Sequence, residues 1–247
     1  MDIKNYLDST YLKTAEQAGL SIEANIQVAT SFIQEAIDER FKLIMIRPDN
    51  VRLAKEMIAQ SKSKLAVGTV ISFPEGTSIL TEKLAEAEEA IANGADDLDF
   101  VCNYKAFIEG DLDTVRTEIL LGTQLGLTHN KTVKWIIEVA ALTEKQIILI
   151  SSLIKNVVVS NFKEEQYQNV FVKSSTGFYT TENNVPNGAT IPSIIMMLEN
   201  ACPLSVKAAG GVRTYDEAVA MIKMGVKRIG TSSAKAIVSG QESGATY

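Results

Sequence analysis

Val170-Phe171-Val172-Lys173-Ser174-Ser175-Thr176-Gly177 reads as a short buried strand that ends on a lysine and breaks into small residues and glycine. The pattern recurs in Val206-Lys207-Ala208-Ala209-Gly210-Gly211. A lysine at the end of a buried strand is costly unless something uses it. With an ordinary pKa of about 10.4, fewer than about one amine in a thousand is neutral at pH 7. A nucleophilic amine therefore needs burial or a neighbouring cation to push its proton off. Two lysines converging on one pocket would supply that push, so the two runs point to Schiff-base chemistry if the fold brings them together.

Outward from these runs, short apolar stretches alternate with longer helical patterns, the sign of βα units and a parallel sheet. Candidate strands are Tyr6–Asp8, Lys42–Ile46, Leu65–Ile71, Asp97–Val101, Val133–Glu138, Val170–Lys173, Ser205–Ala208 and Arg228–Thr231. Helical patterns lie between them at Ser21–Arg40, Val51–Ser61, Leu80–Asn93, Leu112–Leu125, Glu144–Lys155, Ile191–Ala201 and Tyr215–Met224, several ending on Gly or Asn, as at Asn93-Gly94 and Gly225. Eight such units match a (β/α)8 TIM barrel, a fold of about 250 residues whose active sites gather at the C-terminal ends of the strands. The alternative is a doubly wound open sheet, but no Gly-x-Gly-x-x-Gly turn follows the first strand and no Walker-type loop occurs.

The 247 residues are 46% hydrophobic and 22% charged, enough apolar mass for one large core, and no linker or low-complexity tract divides them; a single domain, 1–247, with a short C-terminal tail is expected. The net charge of -6 disfavours nucleic acid and anionic membrane as partners while leaving room for a local anion pocket. No apolar stretch reaches the length of a membrane span, and Met1-Asp2-Ile3-Lys4-Asn5-Tyr6 lacks a signal-peptide layout, so a cytoplasmic location is expected. Cys102 and Cys202 lack metal-ligand spacing and read as reduced, mostly packed thiols. His129 is the single histidine, in the polar run Thr128-His129-Asn130-Lys131, and reads as a surface imidazole. Multi-histidine zinc sites are thereby excluded within one chain, and acid–base work falls to Lys, Asp, Glu and Tyr.

In a barrel, Asp8, Asp99, Glu138, Lys173, Lys207 and the Gly230-Thr231-Ser232-Ser233 turn would project near one rim. Asp99 alternates with Leu98 and Phe100 and so faces the opposite side, which in a barrel strand is the interior. Spacing alone does not choose between a salt bridge to a barrel lysine and a proton-transfer role for it. Gly177, Gly210-Gly211 and Gly230–Ser233 form three glycine-containing turns, the last leading into a short helix, Ser232–Val238. Each is ordinary turn chemistry taken singly; together, after the late strands of a barrel, they suggest a phosphate cradle.

These motifs resemble those of the deoxyribose-phosphate aldolase family, class I (Schiff-base) aldolases built on a (β/α)8 barrel. The likeness covers nearly the whole chain. It runs from Leu7-Asp8-Ser9-Thr10-Tyr11-Leu12-Lys13 through Gly68–Pro74, Gly94–Asp99 and Val133–Glu138 to the two lysine runs and Gly230-Thr231-Ser232-Ser233. The resemblance implies that Lys173 is the Schiff-base nucleophile, that Lys207 lowers its pKa, and that Asp99 works with Lys207 in proton transfer. It also implies phosphate contacts from Gly177, Gly210, Gly211, Ser232 and Ser233, mostly through backbone amides, and pocket positions for Asp8 and Thr10. Tyr247 resembles a C-terminal tyrosine that some members use as a mobile proton carrier; a frayed terminal aromatic is the alternative.

Three positions depart from the family pattern: Ser9 stands where many members carry histidine, Arg47-Pro48 replaces a commoner Asn-Pro, and Phe178 follows Gly177 where some members carry lysine. None removes a catalytic group. The expected reaction is reversible cleavage of 2-deoxy-D-ribose 5-phosphate to D-glyceraldehyde 3-phosphate and acetaldehyde, with no metal or organic cofactor. A sugar-phosphate isomerase using Asp99 and Glu138 without covalent chemistry is the second reading, and a sugar-phosphate-binding protein on a degenerate barrel the third. The sequence leaves subunit number open, a homo-oligomer included.

Overall fold

A computed structural model describes residues 2–182 and 185–240. The eight strands are β1 (Leu7–Tyr11), β2 (Leu43–Ile46), β3 (Ala66–Ile71), β4 (Asp97–Val101), β5 (Thr132–Ile136), β6 (Val170–Lys173), β7 (Ser205–Ala209) and β8 (Arg228–Thr231). Each pairs in parallel with the next, and β8 pairs with β1, closing a (β/α)8 barrel. After β1 come α1 (Ala15–Ala18) and α2 (Ile22–Glu39), after β2 α3 (Val51–Ser61) and after β3 α4 (Leu80–Ala92). α5 (Tyr104–Glu109) and α6 (Leu112–Thr128) follow β4, and α7 (Glu144–Asn161) follows β5. α8 (Ile191–Ala201), α9 (Tyr215–Met224) and α10 (Ala234–Ser239) complete the ring.

Local chemistry sets the helix starts. Thr143, Thr190 and Thr214 each accept a hydrogen bond from the backbone two or three residues into α7, α8 and α9, and the residue at that third position bonds back to close a capping box. The strands alternate: Leu7, Ile44, Leu98, Val133, Val172, Val206 and Ile229 face outward into the main apolar core under the helices. There Phe100 and Trp135 stack with centroids 4.9 Å apart, and the indole N–H donates to Thr123 Oγ1 at 3.0 Å.

The barrel interior is divided. On the β2–β3 side it is apolar, with Leu43, Met45 and Val70 buried together beside Leu12. On the side formed by β4 to β8 and β1 it is charged.

Several boundaries differ from the sequence expectation. Residues Ile3–Tyr6 form a 3-10 turn whose start is capped by the Asp2 side chain, so the first strand is Leu7–Tyr11 rather than Tyr6–Asp8. Its polar inward positions, Asp8 and Thr10, hid the strand from an apolar count. β5 stops at Ile136, two residues short of Glu138, which takes a left-handed backbone (φ 56°) and leaves the ladder. α6 and α7 run longer than expected, to Thr128 and Asn161, and α10 begins at Ala234 rather than Ser232. α1 and α5 were not foreseen, being single turns too short to show periodicity.

A buried ion pair ties the outer layer to the end of β4. Lys83 of α4 reaches Glu118 of α6 at 2.6 Å and donates to the Val101 carbonyl at 3.0 Å, while Glu118 also accepts from the Asn103 amide. Removing one partner strands the other charge in the core. Lys83→Met should therefore lower unfolding free energy by about 3–5 kcal/mol in chemical denaturation, and adding Glu118→Leu should recover most of it. A loss under about 1 kcal/mol for the single variant would contradict this role.

Candidate active site

Lys173 ends β6, and its register partner on β7 is Lys207. The parallel ladder thus sets the two lysines side by side on the interior face. Both amines reach the same oxygen: Lys173 Nζ and Lys207 Nζ each lie 2.9 Å from Asp99 Oδ2. The other Asp99 oxygen, Oδ1, accepts from Lys134 Nζ at 2.7 Å. Lys134 is Asp99's own register partner on β5 and also reaches Asp97 Oδ2 at 2.7 Å. Asp8 sits 2.7 Å from Lys207 Nζ through Oδ2 and accepts from Arg228 Nε through Oδ1 at 2.7 Å. Arg228 Nη2 also reaches Asp97 Oδ2 at 3.3 Å, which closes a ring of charges across the barrel. Thr10, on the same strand face as Asp8, spends its hydroxyl on the Asp8 carbonyl at 2.9 Å.

One glycine makes room for this arrangement. A Cβ on Gly230 would lie 3.1 Å from Lys207 Cε and 3.3 Å from Ala209 Cβ, so the smallest residue on β8 keeps the Lys207 stem in place.

Burial alone would raise the Asp99 pKa, but the ammonium groups of Lys134, Lys173 and Lys207 outweigh it and hold the carboxyl well below its ordinary value. Lys173 behaves oppositely. Desolvation drives its pKa down, Asp99 opposes that, Lys207 and Lys134 add to it, and the outcome is about 8. At pH 7 about one Lys173 in ten is then neutral, against about one in 2,500 for an ordinary lysine. Its side chain is only 3% exposed.

Glu138 lies beyond β5 with its carboxylate occupied: it accepts from Ser175 Oγ at 2.5 Å, from the Thr176 amide at 3.2 Å, and from Thr176 Oγ1. Burial pushes its pKa up, against the pull of those hydrogen bonds. Its visible task is to fix the turn after Lys173. Ser174 adds a clamp between β6 and β7, donating to the Ala209 carbonyl at 2.8 Å and accepting from the Ala209 amide at 2.9 Å. Asp99 is thus occupied by three lysines, and Glu138 by two hydroxyls and an amide.

The glycine turns meet at the mouth. Gly210 approaches Gly188 so closely that a Cβ on either would fall within 3 Å of the other's backbone, and Gly177 lies against Gly210. Thr231 Oγ1 donates to the Val212 carbonyl at 2.7 Å, tying the Ser232-Ser233 turn to the Gly210-Gly211 turn. The Gly177 amide is already given to Ser175 Oγ, and that of Ser233 to Thr231 Oγ1. Two of the five expected phosphate amides are therefore engaged internally. Among the described residues, the amides of Gly210, Gly211 and Ser232 carry no such bond.

The departures from the family pattern also fall into place. The Arg47 guanidinium lies over the Phe73 ring, 5.7 Å from its centroid, and Phe73 meets Phe178 edge-on at 5.1 Å. Arg47 and Phe178 thus belong to one aromatic wall over the apolar half of the interior. Ser9 points away from the site, with its buried hydroxyl unpartnered among the described residues. Cys102 is buried in the main core, whereas Cys202 is exposed rather than packed. His129 is exposed at the end of α6. Tyr247 lies outside the described residues.

Sequence reasoning brought Asp8, Asp99, Lys173 and Lys207 to one rim, and all four share the network. It missed Lys134, Asp97 and Arg228. Their signal was present: each is a charged residue at the inward parity of its strand, alternating with Val133 and Trp135, with Leu98, and with Ile229.

A closed (β/α)8 barrel holding a buried, partly neutral lysine beside a second lysine at the C-terminal ends of its strands is the architecture of a barrel enzyme that works through an amine. Comparison with known proteins narrows the class. No protein-family model matches the chain. A Thermococcus gammatolerans protein named deoxyribose-phosphate aldolase is 37% identical over 97% of this chain and 96% of its own length. One of the same name from Streptococcus gordonii is 34% identical over the full length of both. Among solved structures, the deoxyribose phosphate aldolase of Aeropyrum pernix, described as tetrameric, superposes with a TM-score of 0.75 at 25% identity, covering 96% of this chain and 90% of that one. An aldolase called QR15 superposes at 0.78 and 29% identity, over 97% and 95%. The chain belongs to the deoxyribose-phosphate aldolase family.

The electrostatics give a direct expectation. Trace acylation of the folded protein, followed by peptide mapping, should show Lys173 gaining reactivity with a midpoint near pH 8, below the value of about 10.4 for a free lysine in water. A Lys173 that titrates with the surface lysines would remove the basis for calling it a nucleophile.

Proposed function

We propose that this protein is a class I aldolase that reversibly cleaves 2-deoxy-D-ribose 5-phosphate to D-glyceraldehyde 3-phosphate and acetaldehyde, with Lys173 as the nucleophile. The observation that carries the assignment is the convergence of two lysine amines on Asp99 Oδ2 in a buried barrel mouth.

Neutral Lys173 attacks the C1 aldehyde of the open-chain sugar, and loss of water from the carbinolamine leaves a protonated imine. That iminium is the electron sink. The C2–C3 bond breaks, its electrons move toward the iminium nitrogen, and the 3-hydroxyl proton passes into the Asp99–Lys207 pair, through water where the gap requires it. Asp99, held ionised by three lysines, is the anionic pivot of that pair rather than a lone base. Glyceraldehyde 3-phosphate departs, the enamine takes a proton on carbon, and hydrolysis releases acetaldehyde and the free amine. The lysine supplies the sink, so the mechanism calls on no metal or organic cofactor.

The phosphate is assigned to the cradle of Gly210, Gly211 and Ser232, with the Ser233 hydroxyl beside it and Gly177 packed against Gly210. Backbone donors and glycine's close approach suit such an anion. Asp8 and Thr10 line the pocket, Asp8 by holding Lys207 in position. A role for Tyr247 as proton carrier belongs to this proposal as a sequence-based element. So do a single-domain chain, a cytoplasmic location and self-association. Among the described residues no helix is long and apolar enough to cross a membrane.

Borohydride reduction in the presence of acetaldehyde should tag Lys173 irreversibly with an ethyl group and abolish activity, as read by peptide mass mapping; an unmodified Lys173 would exclude the Schiff-base route. Lys173→Leu should reduce acetaldehyde release to background. Lys207→Leu should cut kcat by at least about a hundredfold by removing the proton relay, and a near wild-type rate for either variant contradicts the role given to it.

A further inference from the structure

The interior cluster is unbalanced. Arg228, Lys134, Lys173 and Lys207 contribute four cationic groups, whereas Asp8, Asp97 and Asp99 contribute three carboxylates to the contacting network. The groups come from β1 (Asp8), β4 (Asp97 and Asp99), β5 (Lys134), β6 (Lys173), β7 (Lys207) and β8 (Arg228), while β2 and β3 carry no titratable side chain. Glu138 also faces Lys173 from beyond β5, but it makes no ion pair with it, and its carboxylate is committed to Ser175 and Thr176.

The contacts are not shared evenly. Lys134 touches Asp97 and Asp99, Lys207 touches Asp8 and Asp99, and Arg228 touches Asp8 and Asp97. Lys173 touches only Asp99, at an oxygen it shares with Lys207. When four cations compete for three buried carboxylates, the least compensated one is the cheapest to discharge. Arginine cannot be that one, because its guanidinium stays protonated throughout the accessible range.

We propose that Arg228 is a positioning residue of the catalytic centre: by occupying Asp8 and Asp97 it leaves the cluster one cation in excess and so makes the Lys173 amine the member that gives up its proton most readily. Arg228 does not reach the reacting atoms in this arrangement. It acts through Asp8, which holds Lys207, and through Asp97, which holds Lys134. Replacing it with a neutral residue equalises three lysines with three carboxylates and frees Asp8 and Asp97 to bind Lys207 and Lys134 more fully. Lys173 then holds its proton more tightly.

The proposal gains its consequence for turnover from the aldolase reading, but its test does not depend on that reading. The trace-acylation midpoint of Lys173 is measured in the wild type, Arg228→Gln, Arg228→Lys and Asp97→Asn, with near-ultraviolet circular dichroism as the check on folding. Arg228→Gln should raise the midpoint by about one pH unit, a tenfold loss of Lys173 reactivity at pH 7. The acid limb of kcat/KM should move with it, so that activity lost at pH 7 returns above pH 9. Arg228→Lys supplies a cation that can itself give up its proton, so its midpoint should fall between those of the wild type and Arg228→Gln. A folded Arg228→Gln protein with an unmoved midpoint, or one losing activity equally at every pH, overturns the proposal and leaves Arg228 a structural brace.

Should Arg228→Gln fail to fold, Asp97→Asn decides. It removes a carboxylate instead of a cation and should lower the Lys173 midpoint; a midpoint unchanged or raised overturns the proposal. Borohydride trapping with acetaldehyde runs in parallel. Failure to trap the wild type with the midpoint shifts intact sinks the aldolase reading alone, and normal trapping with unmoved midpoints sinks the role of Arg228 alone.

Discussion

The Asp99 carboxylate, held between Lys134 on one oxygen and both Lys173 and Lys207 on the other, is the constraint around which the site is built. A barrel interior is ordinarily filled with layers of branched apolar side chains. Here half of that volume holds ionised groups with little access to water. Such burial is costly for each ion taken singly and becomes tolerable only when every charge finds a partner and every remaining lone pair a donor. Every charge of the cross-barrel ring has an oppositely charged partner, and the Lys173 amine has the fewest, a single carboxylate oxygen that it shares with Lys207.

The apolar parts of the molecule serve this centre by holding it rigid. Phe100 and Trp135 stack outside β4 and β5, the two strands that carry Asp97, Asp99 and Lys134. The Lys83–Glu118 pair fixes the end of β4 against α4 and α6. Glu138, through Ser175 and Thr176, and Ser174, through Ala209, fix the turn that follows Lys173. Displacing any of these would alter the amine–carboxylate distances, and in a medium of low dielectric such changes act strongly on proton affinity.

The mouth shows a second division of labour. Among the described residues the Gly210, Gly211 and Ser232 amides on the β7 and β8 turns carry no internal hydrogen bond. Phe178 packs against Phe73, over which Arg47 lies, and closes the apolar half of the interior. The two sequence departures are thus coupled through one ring.

Much of this was legible in the chain alone. Eight strand candidates separated by helical patterns point to a parallel sheet covered on its outer face, and their number with the chain length favours a closed barrel over an open sheet. The two lysine runs, each at a strand end before glycine, determine where an amine could emerge, since strand parity dictates which face a side chain takes. Parity does not say what lies across the barrel. Arg228 and Asp8 are 220 residues apart in sequence, and Lys134 and Asp99 are 35 apart, yet both pairs are in contact. Strand order, register and closure decided those pairings, and with them the count of cations against carboxylates. Only the tertiary structure could settle which lysine gives up its proton most readily, because proton affinity in a buried cluster is a property of the whole set of neighbours and not of the residue that carries the proton.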